Sequence, residues 1–215
     1  MALETLQIEH VPSDHHVYAA LFRDVQNVDF LQAQLIGKNP QFEYAFIDAS
    51  TIISRTHLLA AIFRALNTLT EGTLQTPNVH SDIVIGLSPT NNISESYRRY
   101  GLTPSKTRDV LVIKVIYPKP AQPPVVSSEN STSSRSSSEQ PTPESIWQHL
   151  TTHIQGKPVP LTDGELAKST DWQKVRKYYK LNGVPRVERI DKADEEGRRR
   201  EMEGLVVSGI ALRGL

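Results

Sequence analysis

Two hydrophobic periods alternate along the chain. Apolar runs at 17–22 (VYAALF), 44–47 (YAFI) and 109–117 (DVLVIKVIY) have the length and β-branched content of strands. A further run at 83–87 (IVIGL) has no polar break and reads as a strand covered on both faces. Between these runs apolar residues recur at helical spacing. Val25, Val28, Leu31 and Leu35 mark a helix over 24–36 that stops at Gly37. Leu59, Ile62, Phe63, Leu66 and Leu69 form the clearest stripe, over 52–69, ahead of Gly72. Asn92 and Glu95 have the spacing of a capping box, predicting a helix that runs to Tyr100 and ends at Gly101.

Residues 118–143 break the pattern. About half are proline or serine and almost none is a large apolar residue, so the segment cannot bury enough surface to offset its ordering entropy and is expected to be disordered. The block before it is rich in strands and the block after it shows none. The later helices therefore need the earlier sheet to pack on, which predicts an insertion into a single domain spanning 1–215. After the insertion the spacing predicts a helix over 144–154, capped by Thr142 or Ser145, a connector at 156–160, a helical turn at 163–168 and a helix over 171–181. Residues 186–200 are densely charged and read as a loose excursion. The last element, 202–212, is apolar on a broad arc formed by Met202, Leu205, Val206, Ile210 and Leu212. The fold class is α+β.

Composition removes most chemistries. Among 215 residues, 24 acidic and 24 basic side chains balance, so any nucleic-acid contact must come from a local basic patch. Cysteine is absent, which excludes a disulfide framework, a thiolate metal site and a cysteine nucleophile. The first ten residues lack a signal-peptide pattern, and no stretch is apolar enough to cross a membrane, so a soluble intracellular protein with no membrane partner is expected. The sequons at Asn92 and Asn130 are then chance occurrences. No dinucleotide, P-loop, nucleophile-elbow or zinc-protease motif occurs. His149 and His153 have the i, i+4 spacing of zinc ligands, but no third ligand stands nearby, so neither metal nor cofactor is expected.

Three features rise above this background. The segment 87–102 (LSPTNNISESYRRYGL) brings small polar residues to a helix start, which is either a ready anion site or an ordinary capped helix with Arg98 and Arg99 near its negative end. The C-terminal apolar helix is wide enough for both core packing and a partner. The run Lys174, Arg176, Lys177 and Lys180 is a solvated helix face or an RNA-binding one.

At 87–102 the chain resembles a known family, in which a Leu-Ser-Pro-Thr turn leads into an Asn-Ile-Ser helix closed by an aromatic-Gly-Ile/Leu element. Collinear similarities are Ala20-Leu21-Phe22-Arg23-Asp24-Val25-Gln26-Asn27, Phe46-Ile47-Asp48, Ala61-Ile62-Phe63-Arg64-Ala65-Leu66, Arg176-Lys177-Tyr178-Tyr179-Lys180-Leu181 and Ala211-Leu212-Arg213-Gly214-Leu215. The family is the PRPK-binding (TPRKB-like) subunit of the KEOPS/EKC complex. The resemblance implies a small, mainly antiparallel sheet flanked by helices and a non-catalytic adaptor found in nucleus and cytoplasm. It would bind the atypical PRPK-like kinase/ATPase and, through it, the other subunits. It would also help recruit tRNA by its 3′ CCA end for threonylcarbamoyladenosine formation beside the anticodon, with links to telomere maintenance and transcription. On this chain it places kinase contact at Leu205, Val206, Ile210 and Leu212, with Ile210→Glu expected to lose the kinase and keep the fold. It places tRNA contact at Asn91, Asn92, Ile93, Ser94 and Arg98, with Arg55 and Arg64 neutralising phosphates. A stand-alone RNA-binding protein that uses the Lys174, Arg176, Lys177 and Lys180 face is the alternative.

Overall fold

The computed structural model describes residues 2–118, 140–191 and 193–213; nearly all of the Pro/Ser-rich segment, and with it the expected disorder, lies outside the described residues. The two strongest apolar runs form the centre of the sheet. Strands β2 (His16–Arg23) and β4 (Val110–Ile116) pair antiparallel from His16 opposite Ile116 to Phe22 opposite Val110. Strand β3 (Ala45–Asp48) lies antiparallel on the far side of β4. Two short strands share the outer edge of β2, β1 (Glu4–Leu6) against Val17–Ala19 and β5 (Lys157–Val159) against Leu21–Arg23. The described sheet is thus wholly antiparallel, in keeping with the mainly antiparallel sheet expected of an α+β fold. β5 also corrects the connector expected at 156–160: the chain beyond the insertion adds a strand of its own.

The strands are apolar throughout because both faces of the sheet are covered, and successive side chains alternate between them. Val17, Ala19, Leu21, Ile47, Leu111, Ile113 and Val115 point to one layer. That layer is built from α2 (Arg55–Thr70), α3 (Val79–Gly86), α4 (Ile93–Tyr100), α6 (Asp163–Ser169), α7 (Trp172–Tyr178), α8 (Pro185–Glu188) and α9 (Glu195–Ala211). Tyr18, Ala20, Phe22, Phe46, Val110 and Val112 point to the other, made by α1 (Val28–Ile36) and α5 (Pro143–His153). Thr142 caps α5 with Pro143 in the first turn, and Ser54 caps α2 by accepting from the His57 amide. Residues 24–27 are not helical, since Asp24 sits at φ 50° and α1 starts only after Asn27.

The run at 83–87 is not a strand but the second half of α3 and its C-cap, Leu87. An all-apolar run suits a helix buried on every side as well as a covered strand, and here Asn78 settles the matter by accepting from the Ser81 amide as N-cap. α3 lies across the end of the sheet, where β3 pairs no further than Ala45 opposite Ile113. His80 Nε2 accepts the Val115 amide (3.0 Å) and satisfies a backbone donor that β3 does not reach. The charged stretch 186–200 is also corrected. Val187 in α8 is buried, Asp194 caps α9, and Glu195–Arg199 and Glu196–Arg200 are i, i+4 pairs on its solvated first turns.

Candidate docking surface

The turn Ser88-Pro89-Thr90-Asn91 joins α3 to α4. Asn92 accepts from the Glu95 amide (3.0 Å), but Glu95 does not reach back; it accepts from Arg99 (2.5 Å) and Arg98 (3.5 Å) instead, so only half of the expected capping box forms. Asn91, Asn92, Ile93 and Ser94 are exposed as expected. Asn91 nevertheless has a fixed partner: its Oδ1 accepts from Arg213 Nε (2.8 Å).

Arg213 is the residue that sequence reasoning missed. An arginine near a chain end is ordinarily solvated, and it counted only as part of a short terminal match. In the structure it is buried. Its guanidinium donates to Asn91, to Gln75 Oε1 (3.0 Å), to the Ser88 carbonyl (3.4 Å) and to the Ile85 carbonyl. Arg64 on α2 meanwhile donates to the Ile210 carbonyl (2.9 Å), at the end of α9 where free carbonyls gather. The polar turn and the C-terminal helix, two separate features of the sequence, are therefore one surface.

That arrangement corrects the expected kinase-contact residues. Val206 is 0 % and Ile210 1 % exposed; both belong to the core packed against the sheet and α2. Ile210→Glu would bury a carboxylate and unfold the layer, so it cannot separate binding from folding. Leu205 is half-buried against the same core, while Leu212 is 62 % exposed. Leu212 has company on the adjoining elements. Phe63 precedes Arg64 on α2, and Ile93 and Tyr97 stand one turn apart on α4. All three are exposed.

The structure does not bring all the expected phosphate contacts together. Arg55 pairs with Glu4 (2.5 Å) and donates to the Leu161 carbonyl at the start of α2, nine residues and about 13 Å along the helix from Arg64. The pair holds the Glu4 carboxyl below its usual range through the Arg55 hydrogen bond. Lys174 is likewise engaged, donating to Ser50 Oγ (2.8 Å) and to Asp48 (3.4 Å), which ties α7 to the turn after β3. Arg98, Lys177 and Lys180 remain exposed. Arg99 lies over the Tyr178 ring at 5.0 Å and links α4 to α7. His149 and His153 sit in the opposite layer with ring centroids 4.6 Å apart, and His149 Nδ1 meets the Tyr44 hydroxyl at 3.0 Å. No cluster of three metal-ligating side chains occurs among the described residues.

A buried polar chain supports the surface from below. The Ile53 amide donates to His57 Nδ1 (3.4 Å), so His57 Nε2 carries the proton and donates to Tyr179 Oη (2.9 Å), whose hydroxyl donates to the Leu87 carbonyl. α2, α7 and the end of α3 are thereby fixed to one another. Full burial pushes the His57 imidazole down to about 3, so it stays neutral where an unfolded histidine, near 6.5, takes up a proton. Unfolding then binds a proton between those values. This contribution to stability is complete above about pH 6.5 and falls by about 1.4 kcal/mol per pH unit below it. Urea unfolding at pH 6.5 and pH 5 should show a loss of roughly 2 kcal/mol that His57→Gln lacks; equal pH slopes for the two proteins would disprove the assignment.

Comparison with known proteins bears on what such a surface serves. The model of the kinase-binding protein CGI-121 family matches residues 22–214. A Neurospora crassa protein named EKC/KEOPS complex subunit cgi121 is 88 % identical over 215 residues, covering all of both chains. A Gibberella zeae protein of the same name is 47 % identical, again over the whole of both. A Schizosaccharomyces pombe subunit of that name is 28 % identical over 166 residues, 77 % of this chain and 82 % of its own.

Proposed function

Because the chain belongs to the CGI-121 kinase-binding family, we propose that it is a non-catalytic adaptor of an EKC/KEOPS complex, and that it holds the atypical PRPK-like kinase subunit on the surface made by α2, α4 and the end of α9. The observation that carries this reading is the exposed set Phe63, Ile93, Tyr97 and Leu212, anchored by the Arg64 and Arg213 contacts. Large apolar side chains held on rigid helices are what a desolvated interface centre needs. Among the described residues, the other exposed large apolar side chains, Phe30 and Ile36, belong to α1 in the opposite layer. Gel filtration of the purified chain with the purified kinase tests the reading: co-elution supports it, and independent elution at micromolar concentrations opposes it.

The same reading gives the subunit a part in recruiting tRNA by its 3′ CCA end for threonylcarbamoyladenosine formation. Its support is the exposed Asn92 and Ser94 at the helix start, with the exposed Arg98 on α4, held only by a long 3.5 Å contact to Glu95, and the exposed Lys177 and Lys180 around the end of α7. Arg55 drops out because its charge is paired. With Lys174 engaged internally, the α7 face alone is a weak base for the stand-alone RNA-binding alternative. tRNA affinity should fall steeply with salt, and Lys177→Ala should lower the salt slope by about 1. Equal binding of tRNA with and without its CCA tail would remove this part of the proposal. Residence in nucleus and cytoplasm, and the links to telomeres and transcription, come with membership of such a complex and stand or fall with it.

A further inference from the structure

Among the described residues, the docking surface carries a crevice with more positive than negative charge. Arg64 and Arg213 line one crevice together with Thr68, Gln75, Asp82 and Gly86. Neither guanidinium forms an ion pair among the described residues, whereas Arg23, Arg55 and Arg99 are paired with Glu165, Glu4 and Glu95. All the acceptors of Arg213 are neutral: three carbonyl or amide groups from Ile85, Ser88 and Gln75, and the amide of Asn91. Asp82 is the one acidic side chain in the crevice, and it is bonded to the Gln75 and Thr76 amides and to the Thr76 hydroxyl. Two positive charges thus face one negative charge. Burial and the neighbouring Arg64 both push the Arg213 guanidinium below its usual range, a sign that the two cations feel each other.

Arg64 is the accessible member. It is half-buried, and only its Nη1 has a partner, the Ile210 carbonyl. Its remaining N–H groups have no hydrogen-bond partner among the described residues, and it follows the exposed Phe63 on α2. A partly buried guanidinium attracts an anion more strongly than one in bulk water, since the local dielectric is lower, and it pairs best with a planar two-oxygen acceptor. The crevice itself, about 10 Å³, is too small for a free metabolite.

We propose that the partner of this surface supplies a carboxylate to Arg64, with Arg213 as the buried positioning residue behind it, so that the kinase docks through an aspartate or glutamate set among apolar side chains. This rests on the docking reading above. One carboxylate balances the excess charge among the described residues, and the exposed Phe63, Ile93 and Leu212 on the same elements suit the apolar surface of a protein rather than a run of phosphates.

The experiment measures binding of the full chain to the purified kinase by calorimetry at low and high salt, for wild type, Arg64→Gln, Arg64→Lys and the double variant Ile93→Ser/Leu212→Ser. Wild-type affinity should weaken with salt. Arg64→Gln should bind roughly 30-fold more weakly at low salt and lose most of that salt dependence, with Arg64→Lys in between because it keeps the charge without the fork. Circular dichroism and melting of each variant exclude a folding defect. If Arg64→Gln binds like wild type at both salts while the double serine variant fails, the carboxylate is wrong and the docking surface survives. If neither variant affects the kinase, the docking reading fails as well. Loss of tRNA binding with unchanged kinase binding in Arg64→Gln would assign the charge to phosphate and overturn the proposal.

Discussion

Ile93→Ser/Leu212→Ser is expected to weaken association with the kinase roughly 100-fold while leaving the melting temperature unchanged. Both side chains are exposed in the free subunit, so folding loses little when they are removed. At the centre of an interface each apolar anchor is worth about 2 kcal/mol or more, and serine adds the cost of an unpaired hydroxyl in the desolvated zone. Ile36→Ser is the control. Ile36 is 75 % exposed, more than Leu212, but it lies on α1 in the opposite layer and should leave affinity as it is. A comparable loss from both variants would mean that binding follows exposed apolar area in general and not this surface.

The second large effect falls on stability. Arg213→Met should lower it by about 3 kcal/mol, because the Ile85 and Ser88 carbonyls and the Asn91 and Gln75 side chains lose their donor while the methionine fills only part of the space. For a chain of this length that is roughly a 6–12 °C fall in melting temperature. The loss should be local in its first stage, with the amides of 88–92 exchanging faster before the rest of the layer opens. Unchanged melting would show that the α3–α4 turn holds its shape without the arginine. The same comparison separates Arg213 from Ile210: Ile210→Glu should unfold the layer outright, since it puts a carboxylate beside Val206 and the α2 core with no partner.

Much of the fold was legible because the strand and helix periods were clean. β2, β3 and β4 lie where the apolar runs place them, and α2, α5 and α7 follow their stripes and caps. The failures have a common cause. At 83–87 a helix buried on all sides has the same composition as a covered strand, and the deciding cap, Asn78, lies five residues upstream. At 157–159 a strand of three residues containing a proline leaves almost no periodic trace; it exists because the edge of β2 is vacant there. At 195–200 the charges belong to a solvated helix face, which polarity alone does not distinguish from a loop. The site was half legible. Exposure of Asn91, Asn92, Ile93, Ser94, Arg98 and Leu212 agrees with the local pattern. The division of Leu205, Val206, Ile210 and Leu212 between core and surface depends on how α9 is rotated against α2. The pairing of Arg213 with Asn91, 122 residues away, is a tertiary contact with no local signal.

If α2, α4 and the end of α9 together form the kinase-binding face, amide hydrogen exchange of the free chain and of the kinase complex will show it. Complex formation should slow exchange around Phe63 and Arg64, from Ile93 to Tyr97 and at 211–213, with α1 and α5 unchanged. Protection confined to the α1 and α5 layer around Phe30 and Ile36, with α4 and the end of α9 exchanging as in the free chain, would contradict it.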